Sequence, residues 1–210
     1  MIISETAVTL KDGTKVILRS PQPRDAAQLN ELLKSDKPEY AVYGYYKLLN
    51  DIGDAKTSFN NGNDVNWQNV DGLYGFRGTL DGNGHAVTGT VYSKGLFGLV
   101  GKGAYVKDLT VNAYGFADAR TVLARSIRSA TFENVTLNIL SGESDSYYTE
   151  GGVITSLMSH STTYKNVVIN SLGKIDTLFG CSYWNYDHRK ANTFENCSVN
   201  VKSVGGLLCV

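Results

Sequence analysis

Acidic, basic and aromatic residues that could do chemistry gather in a few polar stretches of this 210-residue chain. Asp118, Glu143, Glu150 and Asp176 are the acids among them, with Arg120, Asp145 and Lys174 close by in sequence. Sugar-bond hydrolysis needs two carboxylates about 5–9.5 Å apart, one as acid and one as nucleophile or base. Those four acids are the catalytic candidates if the protein is an enzyme. The competing reading is a solvated loop face, because the stretches differ in length and share no register. Tyr183, Trp184, Tyr186, Asp187 and His188 form the leading binding candidate. Trp and Tyr rings stack on sugars and anchor protein interfaces, while Asn, Asp and His orient a ligand by hydrogen bonds. The alternative is a long loop that folds its own aromatics onto its support.

Asp81-Gly82-Asn83-Gly84-His85 has the Asp/Asn/Gly alternation of calcium loops but lacks the later Glu that an EF-hand requires. It reads as a tight corner with Gly82 and Gly84 at positive φ. His85, His160 and His188 are isolated, so no metal site and no cofactor are expected. No nucleophile elbow, phosphate-binding loop or dinucleotide fingerprint is present. Cys181, Cys197 and Cys209 are odd in number and have no zinc-ligand spacing. They read as buried thiols, with one bond between stacked coils as the alternative.

The elements that must position these residues are short strands. Gly 22 against Pro 3, with Tyr 13, suits many strands joined by Gly, Asn and Asp corners. Charge is balanced at 20 basic and 20 acidic residues, which argues against nucleic acid as a partner. No apolar run is long enough to cross a bilayer, so no membrane insertion is expected. The opening MIISETAVTLKDG lacks the features of a secretion signal.

Residues 5–19 predict a hairpin around Lys11-Asp12-Gly13-Thr14. Asp25 to Lys34 predicts a short amphipathic helix with Ala26, Leu29, Leu32 and Leu33 on one face. Residues 1–36 are therefore expected to cap residues 37–210. VTLKDGTKVILRSPQPRDAAQLNELL also resembles the start of GNAT-superfamily N-acetyltransferases, over residues 8–33. The glycine-rich pyrophosphate loop of that superfamily is absent later, so its chemistry is not carried over. Residues 40–52 read as a strand, and 53–75 as a polar loop with Trp67 as a candidate anchor.

Four segments then align without gaps: Tyr105 to Asn112, Thr131 to Asn138, Thr163 to Asn170 and Thr193 to Asn200. Their starts lie 26, 32 and 30 residues apart (131−105, 163−131, 193−163). Each comes after an apolar stretch, Gly95–Val100, Thr121–Ile127, Gly152–Met158 or Thr177–Tyr183. Periods of this size mean a repeat architecture, and the lack of helical periodicity makes the repeat a β-coil. Within each segment the apolar residues are spaced three and then two, as in Phe132, Val135 and Leu137. That spacing predicts a corner residue in left-handed backbone at Asp108, Asn134, Asn166 and Asn196. Stacked coil on coil, those residues would form an Asn ladder.

FRGTLDGNGHAVTG together with GLFGLVGKGAYVKDLTV resembles the right-handed parallel β-helix of bacterial surface and adhesin-like proteins, over residues 40–210. The resemblance implies an all-β, single-stranded solenoid of about five coils over residues 37–210. It implies an extracellular or cell-surface location, although the missing signal leaves a cytoplasmic one open. It also implies a non-enzymatic module that binds a glycan or a surface protein through side loops. Polysaccharide lyases and hydrolases share this fold type, and a structural spacer is the third reading. The chain ends inside what looks like a new coil, Gly205 to Val210, so a homodimer or end-to-end stacking through that coil is open.

Overall fold

In the computed structural model the described residues are 5–9, 15–19, 29, 44–60, 75–92, 95–115, 121–140, 152–180 and 191–208. The expected hairpin is present. Strands β1 (Glu5–Thr9) and β2 (Lys15–Arg19) pair antiparallel, from Glu5 opposite Arg19 to Thr9 opposite Lys15. Of the helix expected over residues 25–34, only Leu29 is described. It is helical, fully buried, and part of the same apolar cluster as Tyr46 and Leu48.

Everything else described is a parallel β-solenoid. Thirteen strands pair only in parallel. The first face is a stack of rungs. It runs from β3 (Tyr45–Lys47) through β5 (Thr79–Asp81) to the openings of β8 (Tyr105–Gly115) and β10 (Thr131–Ile139). It continues through β12 (Thr163–Lys165) and β14 (Thr193–Glu195). The second face stacks β4 (Ser58–Asn60), β6 (Ala86–Tyr92) and the later parts of β8 and β10. The openings of β13 (Val168–Phe179) and β15 (Ser198–Leu208) complete it. The third face carries β7 (Leu99–Val100), β9 (Ala124–Arg128), β11 (Thr155–His160) and the ends of β13 and β15. Four turns run from Thr79 to Thr193, with a shorter rung, β3 and β4, in front and the partial rung β14–β15 behind. That is about one turn fewer than expected, because the first and last rungs are incomplete among the described residues.

The corner between the first and second faces is made as the apolar spacing predicts. Asp108, Asn134, Asn166 and Asn196 have φ of 51°, 55°, 52° and 51°. A side chain in this left-handed region clashes unless it is small and polar enough to bond locally, which favours Asn and Asp. One turn is different. Two extra residues lengthen the corner after β5, and here Asn83 (φ 52°) and Gly84 (φ 80°) hold the left-handed positions. Gly82 does not, contrary to the expectation; it is needed for closeness instead. A Cβ there would lie 2.4 Å from the Asp108 carbonyl oxygen. The corners entering β8, β10 and β12 have their own left-handed column, Gly103, Ser129 and Ser161.

The core is a column of inward side chains. Phe132 stacks on Tyr164 with ring centroids 5.5 Å apart, and Tyr164 on Phe194 at 5.2 Å. Tyr46, Phe76 and Phe97 form a second aromatic run near the front of the stack. Each fully buried ring or aliphatic side chain stabilises by about 1.5–3 kcal/mol. Strand β4 lies inside residues 53–75, which read as loop from sequence. Phe59, the one buried side chain described there, sits between Ser58 and Asn60 and is too little apolar signal to reveal a strand.

Candidate functional site

Three columns of side chains run along the stack, and together they are the chemistry that the described residues offer. The first is the predicted Asn column at the corner. Asn134 Nδ2 donates to Asp108 Oδ1 at 2.8 Å, and Asn166 Nδ2 donates to Asn134 Oδ1 at 2.8 Å. The second column, on the outer side of the second face, was not anticipated. Asn112 Nδ2 donates to Thr88 Oγ1 (3.0 Å), Asn138 to Asn112 (2.8 Å), Asn170 to Asn138 (2.9 Å) and Asn200 to Asn170 (3.0 Å). Its signal lay in the repeats themselves, since all four segments end in Asn.

The third column is ionic. At the last position of each first-face rung stand Lys47, Asp81, Lys107, Glu133, Lys165 and Glu195, paired in register and alternating in sign. Lys107 Nζ lies 3.0 Å from Asp81 Oδ2, and Lys165 Nζ lies 3.1 Å from Glu133 Oε1. Tyrosines two positions earlier reinforce it. Tyr45 donates to Asp81 at 2.6 Å, and Tyr105 donates to Glu133. Burial by itself would raise the Asp81 carboxyl. Hydrogen bonds from Tyr45, Lys107 and the Asn83 amide outweigh that and hold it below the ordinary carboxylate range. Glu133 is likewise lowered, first by Tyr105 and then by Lys165. Asp51 is lowered by the Ala86 amide and by His85.

These bonds also decide the Asp81-to-His85 corner. Asp81 accepts from Tyr45, Lys107 and the Asn83 amide (2.8 Å), so its oxygens are already engaged in shaping the turn. Tyr164 OH, wholly buried, lies 2.7 Å from Ser159 Oγ, and burial raises its pKa far above that of a free phenol. Arg77 Nε and Nη2 and Thr155 Oγ1 are buried with no hydrogen-bond partner among the described residues.

Tyr183, Trp184, Tyr186, Asp187 and His188 lie outside the described residues, as do Asp118, Glu143 and Glu150. Asp176 lies on β13, with only its backbone described. Chain order still locates their attachments. Residues 116–120 and 141–151 both join the second face to the third, in adjacent turns. Residues 61–74 and 93–94 join the same two faces in the turns before. Asp176 comes after that same corner one turn later. Residues 181–190 belong to a different corner, between the third face and the next first-face rung. Cys197 is a free, exposed thiol, not the buried one expected; its Sγ lies 3.3 Å from the Tyr164 carbonyl oxygen. Cys181 and Cys209 lie outside the described residues.

Behind the last rung the core opens. An apolar cleft of about 480 Å³ is lined by Ile154, Val167, Leu178, Phe179, Phe194 and Val199 among others.

No family model, no curated protein and no solved structure matches this chain.

Proposed function

We propose that the chain is a non-enzymatic module of a bacterial or phage surface protein that binds glycan or protein through the side loops of its β-solenoid. The observation that carries this reading is the common corner. The connection between the second and third faces differs in length from turn to turn: residues 93–98 between β6 and β7, 116–123 between β8 and β9, and 140–154 between β10 and β11. Beneath it the rungs are locked residue for residue by the two Asn columns and the ionic column. A repetitive scaffold that holds its turns in fixed register while its connections vary in sequence suits recognition. The aromatic segment at residues 183–188 lies on another connection, from β13 on the third face to β14 on the first, and supplies the leading contact set, with Trp184 in it.

A glycan-array screen of the full chain against its Trp184→Ala variant tests this. Both proteins are first matched by circular dichroism. Binding that the variant loses supports the reading and locates the contact. Absence of binding to any glycan sinks the sugar-binding form and leaves a protein ligand.

A further inference from the structure

Charge is sorted between the corners of the stack. The corner that leads from the third face to the first is made by residues 77–78, 101–104, 128–130 and 160–162 in successive turns. These residues include Arg77, Lys102, Arg128 and His160, and no Asp or Glu. The β8–β9 and β10–β11 connections, at the corner from the second face to the third, carry the opposite sign. They hold Asp118, Glu143, Asp145 and Glu150 against one cation, Arg120. A net charge of zero therefore covers a basic edge and an acidic one.

Register places the basic residues in file. Phe76 pairs with Val100, Val100 with Ile127 and Ile127 with Ser159. Arg77, Arg128 and His160 each come directly after a paired position, and Lys102 comes one residue later. Lys102 is exposed, and Arg77, Arg128 and His160 are half-buried. Adjacent rungs lie about 4.8 Å apart, so the four cations cover about 14 Å along the axis. Arg77 is the most telling of them. Its Nε and Nη2 are buried with no hydrogen-bond partner among the described residues. A guanidinium edge taken out of water without an acceptor is costly, and it leaves the charge unneutralised from that side. The β13–β14 connection reaches this same corner one turn on. It carries Tyr183, Trp184 and Tyr186, then Arg189 and Lys190, with Asp187 as its one acid.

We propose that this corner binds an acidic glycan, a polymer of carboxylated or sulfated sugars laid along the stack axis. Each turn offers one cation to the acid groups of successive sugars, and the aromatic connection stacks on a ring at the end of the file. A repeating anion is what a repeating file of cations fits; a single phosphate or carboxylate would use one turn of the four. Sugar is favoured over nucleic acid because the cations form one narrow file and the rest of the chain offsets their charge. The inference rests on the glycan-binding reading and names the class of glycan.

Polygalacturonate and heparin, each fluorescein-labelled, are titrated by anisotropy into the full chain. Methyl-esterified polygalacturonate is the uncharged counterpart, and a single-stranded oligonucleotide is the competing polyanion. The variants are Lys102→Gln and Arg128→Gln on the corner and Lys56→Gln, an exposed lysine just before β4, all matched by circular dichroism. At least one acidic polymer is expected to bind, with affinity falling as salt rises, and the methyl ester is expected not to bind. Each corner variant is expected to weaken binding about fivefold. Lys56→Gln removes the same charge elsewhere and is expected to change affinity by less than about twofold. Binding of neither acidic polymer, equal loss in all three variants, or tighter binding of the oligonucleotide overturns the proposal. Methyl-ester binding that Trp184→Ala abolishes and Lys102→Gln spares overturns the anion site while leaving the glycan-binding reading standing.

Discussion

Asn138 is the most informative single side chain in the stack. Its Nδ2 donates to Asn112 Oδ1 at 2.8 Å, and its Oδ1 accepts from Asn170 Nδ2 at 2.9 Å. Asn138→Ala removes both bonds and strands one acceptor below and one donor above. A typical intramolecular hydrogen bond contributes about 1 kcal/mol net, and a buried orphan costs more. The column is half-buried, so water recovers part of the orphan cost, and the expected loss is about 2 kcal/mol. Asn200→Ala is the internal control. Asn200 makes one bond, to Asn170, on an exposed rung, so its removal should cost only about 0.5 kcal/mol. Each turn of a solenoid touches only its neighbours, so both losses are local terms that add to the whole. Urea unfolding at pH 7 measures both variants, with the slope required to stay constant. Amide exchange in β10 and β13 should report the interior change and not the terminal one. Costs for the two variants equal to within about 0.5 kcal/mol would refute the idea that the column acts as linked bonds, because a mere surface Asn has no reason to matter more inside than at the end.

Two other perturbations separate backbone from side-chain effects. Asn134 sits at φ 55° and bonds to Asp108 and Asn166. Asn134→Gly loses only the bonds, while Asn134→Ala also places a Cβ in left-handed backbone, so Ala should be about 1 kcal/mol worse by denaturation, and a Gly variant worse than Ala would contradict the assignment. Asp81, Glu133 and Asp51 all have folded pKa values lowered from ordinary values of 3.8, 4.5 and 3.8. A depressed carboxylate contributes stability above its unfolded pKa and loses it as pH falls through the folded one. Stability should therefore hold from pH 7 to about 5 and decline below about 4.5, and Asp81→Asn should flatten that decline; an unchanged acid limb in the variant would show that Asp81 is not a source of it.

The fold was legible because its corners are chemically unusual. Apolar residues spaced three and then two, with Asn or Asp between them, leave little but a turn in left-handed backbone. Serines at Ser129 and Ser161 hold the same conformation and went unread, since Ser carries no such preference. The Asn112 column was visible as a shared residue type but not as a bonded ladder. An Asn on the outer face of a strand can bond water as readily as a neighbour, and only stacking at matched register decides for the neighbour. The ionic column was hidden for a related reason. Lys107, Glu133, Lys165 and Glu195 look like scattered surface charges until the rungs are laid side by side. β4 was missed because one buried Phe59 makes no period.

Once aligned, that ionic column explains how near-identical rungs avoid mispairing. Thr131–Asn138, Thr163–Asn170 and Thr193–Asn200 share Thr, an aromatic, a corner Asn and a final Asn at the same positions. A chain that skipped one rung, laying β14 against β10, would satisfy the aromatic column, both Asn columns and the backbone bonds. It would set Glu195 against Glu133 in place of Lys165. Like charges directly opposite are destabilising, where the native pairs contribute roughly 0.2–1 kcal/mol each. The skipped turn would also double the closed loop, at about 0.6 kcal/mol. Every other column is indifferent to the error, so these small terms decide between registers. The position that sorts rungs within the chain is therefore the ionic one, the column whose sign alternates from rung to rung.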